Sequence, residues 1–230
     1  MDKRFWAIVG VIIIGFMGIV LVNNQKAAKD TTNPKNNAAQ TTSHYTGKLD
    51  SKVTLTEYGD YQCSACKSFY PVVKQVKDKY AGKVRFQFRN LPLTSMHPNA
   101  FAGARAAEAA DLQGKFWEMH DLLYENQDPY GASGWVASKD PLSDHFVDYA
   151  KQLGLDTTKF KTDFASATVN NRINADLDTF KATKSQLSTP TFFINGTRVE
   201  SSRLLDNSQQ PQPSVEAFSK VLDEALAAGK

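Results

Sequence analysis

The sequence contains two cysteines in 230 residues, Cys63 and Cys66, and both lie in the stretch DYQCSACKSFYP. It has no internal repeat, no glycine-rich loop of the kind that binds phosphates, and no dense lysine and arginine patch interleaved with aromatic residues. The 27 basic and 24 acidic residues nearly cancel and leave a formal net charge of +3. These features exclude a repeat architecture and give no reason to expect a nucleic-acid partner.

The amino-terminal segment has the one long apolar run of the chain. Phe5–Val22, FWAIVGVIIIGFMGIVLV, carries no charge and is just long enough to cross a bilayer as a helix. Residues 1–4 before it include Lys3 and Arg4, as in a cytoplasmic n-region, and the residues after it offer no good small-x-small cleavage site. We therefore expect an uncleaved transmembrane signal anchor over residues 5–22, with a cleaved signal as the alternative. Lysines on the far flank weaken any orientation drawn from the positive-inside rule.

Residues 23–44 are rich in Asn, Gln, Thr, Ala and Lys and have almost no large apolar side chains. Such a composition cannot bury enough surface to fold. We expect a flexible linker that reaches on the order of 25 Å, since a coil of this kind grows as about 5–6 Å times the square root of its length.

The folded part begins with a strand, helix, strand pattern. Residues 52–58 and 83–91 alternate apolar and polar side chains, which predicts strands, and residues 64–80 repeat apolar side chains at helical spacing. A connection of this length favours a βαβ crossover with a parallel pair of strands.

The remainder is predicted to be helical and then to return to strands. Apolar stripes at helical spacing recur through residues 98–184, which we interpret as a helical insertion. Asn195-Gly196 between two β-prone runs predicts a hairpin, and Ser214 caps a last amphipathic helix.

The spacing of the two cysteines favours redox catalysis. Cys63 falls where the predicted helix begins, and the partial positive charge of a helix amino terminus stabilises a thiolate. Cys66, one turn later, can attack Cys63 in a mixed disulfide. Structural zinc takes four ligands, and the four histidines show no paired ligand spacing. A disulfide that closes so short a loop would constrain little of the unfolded chain. Redox function therefore leads over a zinc site or a structural staple.

Two further features fit a redox site, each with an ordinary alternative. Thr189-Pro190 directly precedes a predicted strand, where a cis peptide would expose the Thr189 backbone to a bound polypeptide, and an ordinary trans proline is the alternative. Glu57 lies in the strand before the cysteines and is either a partly buried carboxyl with a raised pKa, able to exchange a proton with Cys66, or an exposed edge residue.

Together these segments resemble the DsbA-like thiol:disulfide oxidoreductases of the thioredoxin superfamily. The resemblance covers about Tyr45 to Ala227, and it depends on TEYGDYQCSACKSFYP, on HPNA, AAEAA and GKFWEMHDLLY, and on STPTFFINGTRV. It implies an α/β, thioredoxin-like fold (βαβ…ββα) with a helical insertion, preceded by the amino-terminal transmembrane anchor. Residues 45–97 and 185–230 would form the thioredoxin-like domain, and residues 98–184 the insertion.

The resemblance also assigns roles. It implies that Cys63 is the exposed nucleophile, Cys66 the buried resolving cysteine, Pro190 the cis-proline opposite them with Thr189 before it, and Glu57 the buried acid beneath the dithiol. It implies no cofactor other than the redox-active disulfide, and no metal. Many oxidases of the family have Pro-His or Pro-Ser between the cysteines, whereas this chain has Ser64-Ala65, a position that tunes the stability of the reduced form.

The implied function is a membrane-tethered enzyme that introduces disulfides into exported proteins. A disulfide isomerase or reductase of the same fold is the alternative, and a non-enzymatic metal-binding or adaptor module is a third. The resemblance implies reduced exported polypeptides as substrates, a quinone-linked membrane reoxidase of the DsbB or VKOR type as partner, and a monomer. Because disulfides persist outside the cytoplasm, we expect a single-pass protein of the cell membrane with its catalytic domain on the extracytoplasmic side.

Overall fold

The computed structural model describes residues 42–128 and 130–229. The predicted anchor at residues 5–22 and most of the predicted linker at residues 23–44 lie outside this part of the chain. Within the two described ranges, no helix is both long enough and apolar enough to cross a membrane.

In the described residues, five strands form one mixed sheet in the order β1-β3-β2-β4-β5. The strands are β1 (His44–Gly47), β2 (Thr54–Gly59), β3 (Arg85–Asn90), β4 (Thr191–Ile194) and β5 (Thr197–Val199). The pair β2–β3 is parallel and the other three pairs are antiparallel. The predicted βαβ unit and α/β fold are confirmed.

The hairpin between β4 and β5 is also as predicted. Asn195 and Gly196 both have positive φ, 50° and 81°, which a two-residue hairpin turn of this type requires and which Asn and Gly adopt at little cost.

The helices follow the predicted order. In the described residues they are α1 (Ser64–Tyr80), α2 (Ala100–Asp111), α3 (Phe116–Glu125), α4 (Gly134–Ala137), α5 (Val147–Gln152), α6 (Thr157–Phe164), α7 (Ala167–Ala182) and α8 (Val215–Ala228). A π-helical turn, Leu142–Phe146, leads into α5. Helices α2 to α7 fall within the segment predicted as a helical insertion.

The sheet has an apolar core on each face. Alternation along the strands places Leu55 and Phe86 on one face, where they pack with Val73 and Val76 of α1. On the opposite face, Tyr58 of β2 and Phe193 of β4 pack against Phe180 of α7. The three rings meet edge to face, with centroids 5.1 Å to 6.4 Å apart.

The predicted end of the linker at His44 is wrong, because the segment before it is already part of the folded domain. Thr42 is buried, and its N–H and hydroxyl donate to the Asp176 carboxylate at 3.1 Å and 2.6 Å. His44 begins β1, which pairs with β3. Its ring stacks on Phe116 at 3.4 Å, and its Nε2 lies 2.6 Å from the buried Glu108 carboxylate. The polar composition predicts a linker here. Thr42 and His44 are nevertheless buried, because hydrogen bonds to carboxylates on α7 and α2 offset the cost of removing their polar groups from water.

Candidate active site around the Cys63–Cys66 dithiol

The dithiol lies at the amino terminus of α1, as the spacing predicted. Cys63 is the capping residue, with φ −70° and ψ 124°, and its carbonyl accepts the first helical hydrogen bond, from the Lys67 N–H at 3.1 Å. Cys66 lies in the first turn. Both cysteines are free thiols, with exposed fractions of 7% for Cys63 and 0% for Cys66. The expected exposed position of Cys63 is therefore wrong, because both cysteines are buried; Cys63 is the one of the two that retains some exposed surface.

The two thiols differ in acidity. A hydrogen bond from the Cys66 thiol, which has the largest effect, and hydrogen bonds from the Thr189 side chain and the Cys66 backbone N–H together lower the pKa of Cys63 from an ordinary value of 9.0 to about 6, although burial opposes this. Burial raises the pKa of Cys66 well above its ordinary value, and the hydrogen bond to Cys63 raises it further. At neutral pH Cys63 is therefore mostly a thiolate, the form that attacks a disulfide, and Cys66 is a thiol.

Thr189 and Pro190 lie against the nucleophile. The Thr189–Pro190 peptide bond is cis, so the alternative of an ordinary trans proline does not hold. When protonated, the Cys63 thiol donates to the Thr189 carbonyl oxygen, with 3.5 Å between Sγ and O.

Glu57 lies beneath the dithiol in the central strand β2, between Phe88 of β3 and Phe192 of β4. It is buried, so the alternative of an exposed edge residue does not hold. Burial raises the pKa of Glu57 from 4.5 to about 7, while the positive charge of Lys77 opposes the rise. The Glu57 charge also raises the pKa of Cys66, which places the two groups within electrostatic reach of one another.

Two small cavities border Glu57 and several other ionisable side chains. One of about 20 Å³ is lined by Glu57, Lys77 and His120 among others, and is large enough for one water molecule. The other, of about 10 Å³, adds Lys74 and Asp121 to this lining. Glu57 therefore shares these cavities with ionisable side chains, of which Lys74 and Asp121 are partly exposed.

The loop that carries the dithiol is held by residues that the sequence analysis did not identify. The Gln127 amide donates to the carbonyls of Tyr61 and Cys63 at 2.6 Å and 3.0 Å. The buried Asp60 carboxylate accepts from His97 Nδ1 at 2.7 Å. His97 begins the HPNA stretch, one of the segments that carry the resemblance, so the sequence offered some indication of its role. Nothing in the sequence around Gln127 indicates that it contacts the dithiol loop.

The described residues contain no group of three or more His, Cys, Asp or Glu side chains arranged to hold a metal ion. The structure brings the predicted site residues together around Cys63. The Cys66 thiol hydrogen-bonds to the Cys63 sulfur, and the Thr189 carbonyl oxygen lies 3.5 Å from that sulfur. Pro190 follows Thr189, and Glu57 lies within electrostatic reach of Cys66.

The chain is similar to a family described as thioredoxin, whose model matches residues 39–224. Among curated proteins it is 40% identical over 156 residues to the Na(+)/H(+) antiporter NhaA 3 of Salinispora tropica, covering 67% of this chain and 22% of that protein. It is 36% identical over 157 residues to NhaA 1 of Mycolicibacterium vanbaalenii, covering 67% of this chain and 24% of that protein. The chain thus spans about a quarter or less of the length of these relatives.

Solved structures share the fold. BdbD from Bacillus subtilis superposes with a TM-score of 0.62 at 22% identity, covering 80% of this chain and 92% of that chain. The thiol-disulfide exchange protein alpha-DsbA2 from Wolbachia pipientis gives 0.61 at 19% identity, covering 79% and 86%. A thioredoxin-like oxidoreductase from Silicibacter pomeroyi gives 0.60 at 24% identity, covering 79% and 90%.

Proposed function

The chain belongs to the thioredoxin family, and from that premise we propose that it is a thiol:disulfide oxidoreductase that introduces disulfides into exported proteins. The observation that carries the proposal is the opposite acidity of two adjacent thiols. One is the acidic Cys63, which retains some exposed surface, and the other is the fully buried Cys66, which holds its proton.

The acidity of Cys63 favours an oxidase over a reductase. A thiolate stabilises the reduced form, so the disulfide accepts electrons more readily. With the pKa at about 6 instead of 9.0, the reduced form gains about 1.4 kcal/mol at pH 7, which corresponds to about 30 mV in a two-electron potential. The gain increases with pH until an ordinary thiol would ionise as well.

The proposed reaction starts from the Cys63–Cys66 disulfide. A substrate thiolate attacks the Cys63 sulfur, the Cys63–Cys66 bond breaks, and Cys66 leaves and takes up a proton. A second substrate thiolate then attacks the substrate sulfur of this mixed disulfide and expels Cys63 as a thiolate. The substrate loses two electrons and gains a disulfide, and the chain ends as the dithiol.

Glu57 supplies the proton that Cys66 needs. With a pKa of about 7 it is close to half protonated at neutral pH, so it can give a proton to the leaving Cys66 sulfur and take it back during reoxidation. The cavities beside it offer the route by which that proton is replaced.

Thr189 and the loops near it would bind the substrate chain. Its carbonyl lies beside Cys63, where an extended polypeptide can pair with the backbone. Leu187 and Met96 present exposed apolar side chains on the two loops that flank the dithiol, 59% and 66% exposed. Such side chains suit unfolded substrates, which expose apolar segments of varied sequence.

The dithiol must be reoxidised for turnover. We assign this to a quinone-linked membrane reoxidase of the DsbB or VKOR type, and we place the domain on the extracytoplasmic side of the cell membrane, tethered by residues 5–22. The apolar run in the sequence and the instability of disulfides in the cytoplasm support this placement.

Oxidation of a reduced, unfolded protein by the oxidised full-length chain tests the proposal. Free thiols of the substrate should disappear in proportion to the chain added. Cys63→Ser and Cys66→Ser should both abolish the reaction, since neither can form the Cys63–Cys66 disulfide. Mixed instead with a protein that contains a disulfide, Cys66→Ser should accumulate a mixed disulfide, because the Cys63 thiolate attacks that bond, releases one substrate thiolate and has no second cysteine to resolve it. A reduction potential near the roughly −270 mV of thioredoxin, measured against glutathione, would instead make the chain a reductase.

A further inference from the structure

The dithiol loop contains one charged residue, and its charge opposes the chemistry. In the segment DYQCSAC, residues 60–66, Asp60 is the charged side chain, and it is 1% exposed. Its negative charge raises the pKa of Cys63. A buried carboxylate so close to the nucleophile would destabilise the thiolate unless another group offset its charge.

Within residues 42–128 and 130–229, three donors surround the Asp60 carboxylate, and one of them can carry a charge. The Gln62 N–H donates to Oδ1 at 2.8 Å and the Leu93 N–H donates to Oδ2 at 2.9 Å, and both are neutral backbone groups. The third donor is the His97 imidazole, with Nδ1 2.7 Å from Oδ2. The His97 side chain is 22% exposed, so its protonation can equilibrate with solvent.

His97 and Cys63 also act on each other directly. The hydrogen bond to Asp60 raises the pKa of His97, and the charges of Asp60 and of Cys63 raise it further, while burial lowers it. The imidazolium is therefore most favourable when Cys63 is a thiolate. By reciprocity, the imidazolium must favour the thiolate to the same extent.

The neighbouring cation in sequence, Lys67, does not serve this purpose. Its amino group donates to the carbonyl oxygens of Tyr124 and Glu125, at the end of α3. Lys67 thus fastens α1 to the insertion.

We propose that His97 is a positioning residue of the dithiol: its imidazolium, held by Asp60, offsets the carboxylate charge beside Cys63 and so stabilises the Cys63 thiolate. This gives the loop between β3 and α2 a defined part in setting the acidity of the nucleophile. The consequence for oxidising strength rests on the proposed function, whereas the effect on thiolate formation does not.

Titration of Cys63 in the reduced full-length chain tests the proposal, with thiolate absorbance at 240 nm as the readout. His97→Gln keeps a hydrogen-bond donor but loses the charge, and it should raise the pKa of Cys63 by about half a unit to one unit. His97→Lys restores a positive charge and should return the value at least halfway to that of the original chain. His145→Gln, the same change on the π-helical turn of the insertion, is the matched control and should leave it unchanged.

The equilibrium with glutathione should follow the titration. At pH 7 the equilibrium constant for oxidation of glutathione by His97→Gln should be about threefold to fivefold lower than that of the original chain. A Cys63 titration that His97→Gln leaves unchanged would overturn the proposal, and so would a His97→Lys variant that shifts it as far as His97→Gln.

A second measurement uses the original chain, without any substitution. The His97 ring resonance, titrated by NMR, should show a lower pKa in the disulfide form than in the dithiol form, because oxidation removes the thiolate. Equal values in the two forms would contradict the proposal. Both measurements follow protonation, so a chain that fails to oxidise substrates but shows these shifts would refute the proposed function and leave the role of His97 intact.

Discussion

Replacing Glu57 by Gln should stabilise the reduced protein at alkaline pH. The side chain lies in the central strand with 7% of its surface exposed, and burial raises its pKa from 4.5 to about 7. The unfolded chain therefore releases this proton at a lower pH than the folded chain does. The free energy of unfolding consequently keeps its full contribution from Glu57 below pH 4.5 and loses it as the pH rises to about 7.

The size of the loss follows from the two pKa values. The interval from 4.5 to about 7, at about 1.36 kcal/mol for each pKa unit, corresponds to about 3 kcal/mol above pH 8. Gln has nearly the volume of Glu and carries no charge at any pH. Glu57→Gln should therefore match the original chain at pH 4 and exceed its free energy of unfolding by about 3 kcal/mol at pH 8.

Urea unfolding of the reduced chain at pH 4, 6 and 8, followed by far-ultraviolet circular dichroism, measures this difference. Glu118→Gln is the matched control, because Glu118 is exposed on α3 and pairs with Lys115, so its removal should change stability by less than about 1 kcal/mol at each pH. The reasoning is refuted if the gain from Glu57→Gln is the same at pH 4 and pH 8. The same variant should slow turnover, since Cys66 would lose its proton donor.

Other substitutions test the remaining parts of the structure. Burial lowers the pKa of His44, but the carboxylates of Asp111 and Glu108 outweigh it and raise the pKa from 6.5 to about 8. The protonated ring therefore stabilises the fold fully below pH 6.5, and the free energy of unfolding falls by about 2 kcal/mol as the pH rises past 8. In urea unfolding, His44→Gln should remove this pH-dependent fall. Gly59→Ala would place a Cβ 2.4 Å from the Phe88 ring and should lower the free energy of unfolding by about 1–3 kcal/mol. Gly82→Ala is its control, since no atom lies within 4 Å of the added Cβ, and it should lower the free energy of unfolding by less than about 0.5 kcal/mol in the same assay. Cys66→Ala removes the thiol that donates to Cys63 and should raise the pKa of Cys63 in a 240 nm titration, while an unchanged titration would show that the helix terminus alone sets this acidity.

Local patterns were sufficient to predict the elements that local chemistry determines. The turn at Asn195-Gly196 needs positive φ at two successive residues, and the cysteine spacing needs a helix start, so each could be inferred from a few adjacent residues. The resemblance, which also depends on short segments, supplied the cis state of the Thr189–Pro190 bond.

Contacts between distant segments could not be inferred in this way. His44 and Glu108 are separated by 64 positions, and Asp60 and His97 by 37. Glu108 lies in an alanine-rich helix whose sequence gives no sign that a buried carboxylate there binds an edge strand. The position of β1 and the true end of the linker depend on those long-range pairs, so composition alone led to the wrong boundary.

The hydrogen bonds of Gln127 limit which segments of this protein can be deleted without disturbing the dithiol. Its amide, in the segment that follows α3, holds two carbonyls of the dithiol loop, and Lys67 fastens α1 to the end of the same helix. A minimal chain made by deleting residues 98–184 would keep both cysteines and Pro190 but lose these supports, together with the helices that bury the dithiol. The insertion is thus a structural component of the reactive loop, and a transplant of this site into another scaffold must carry it along.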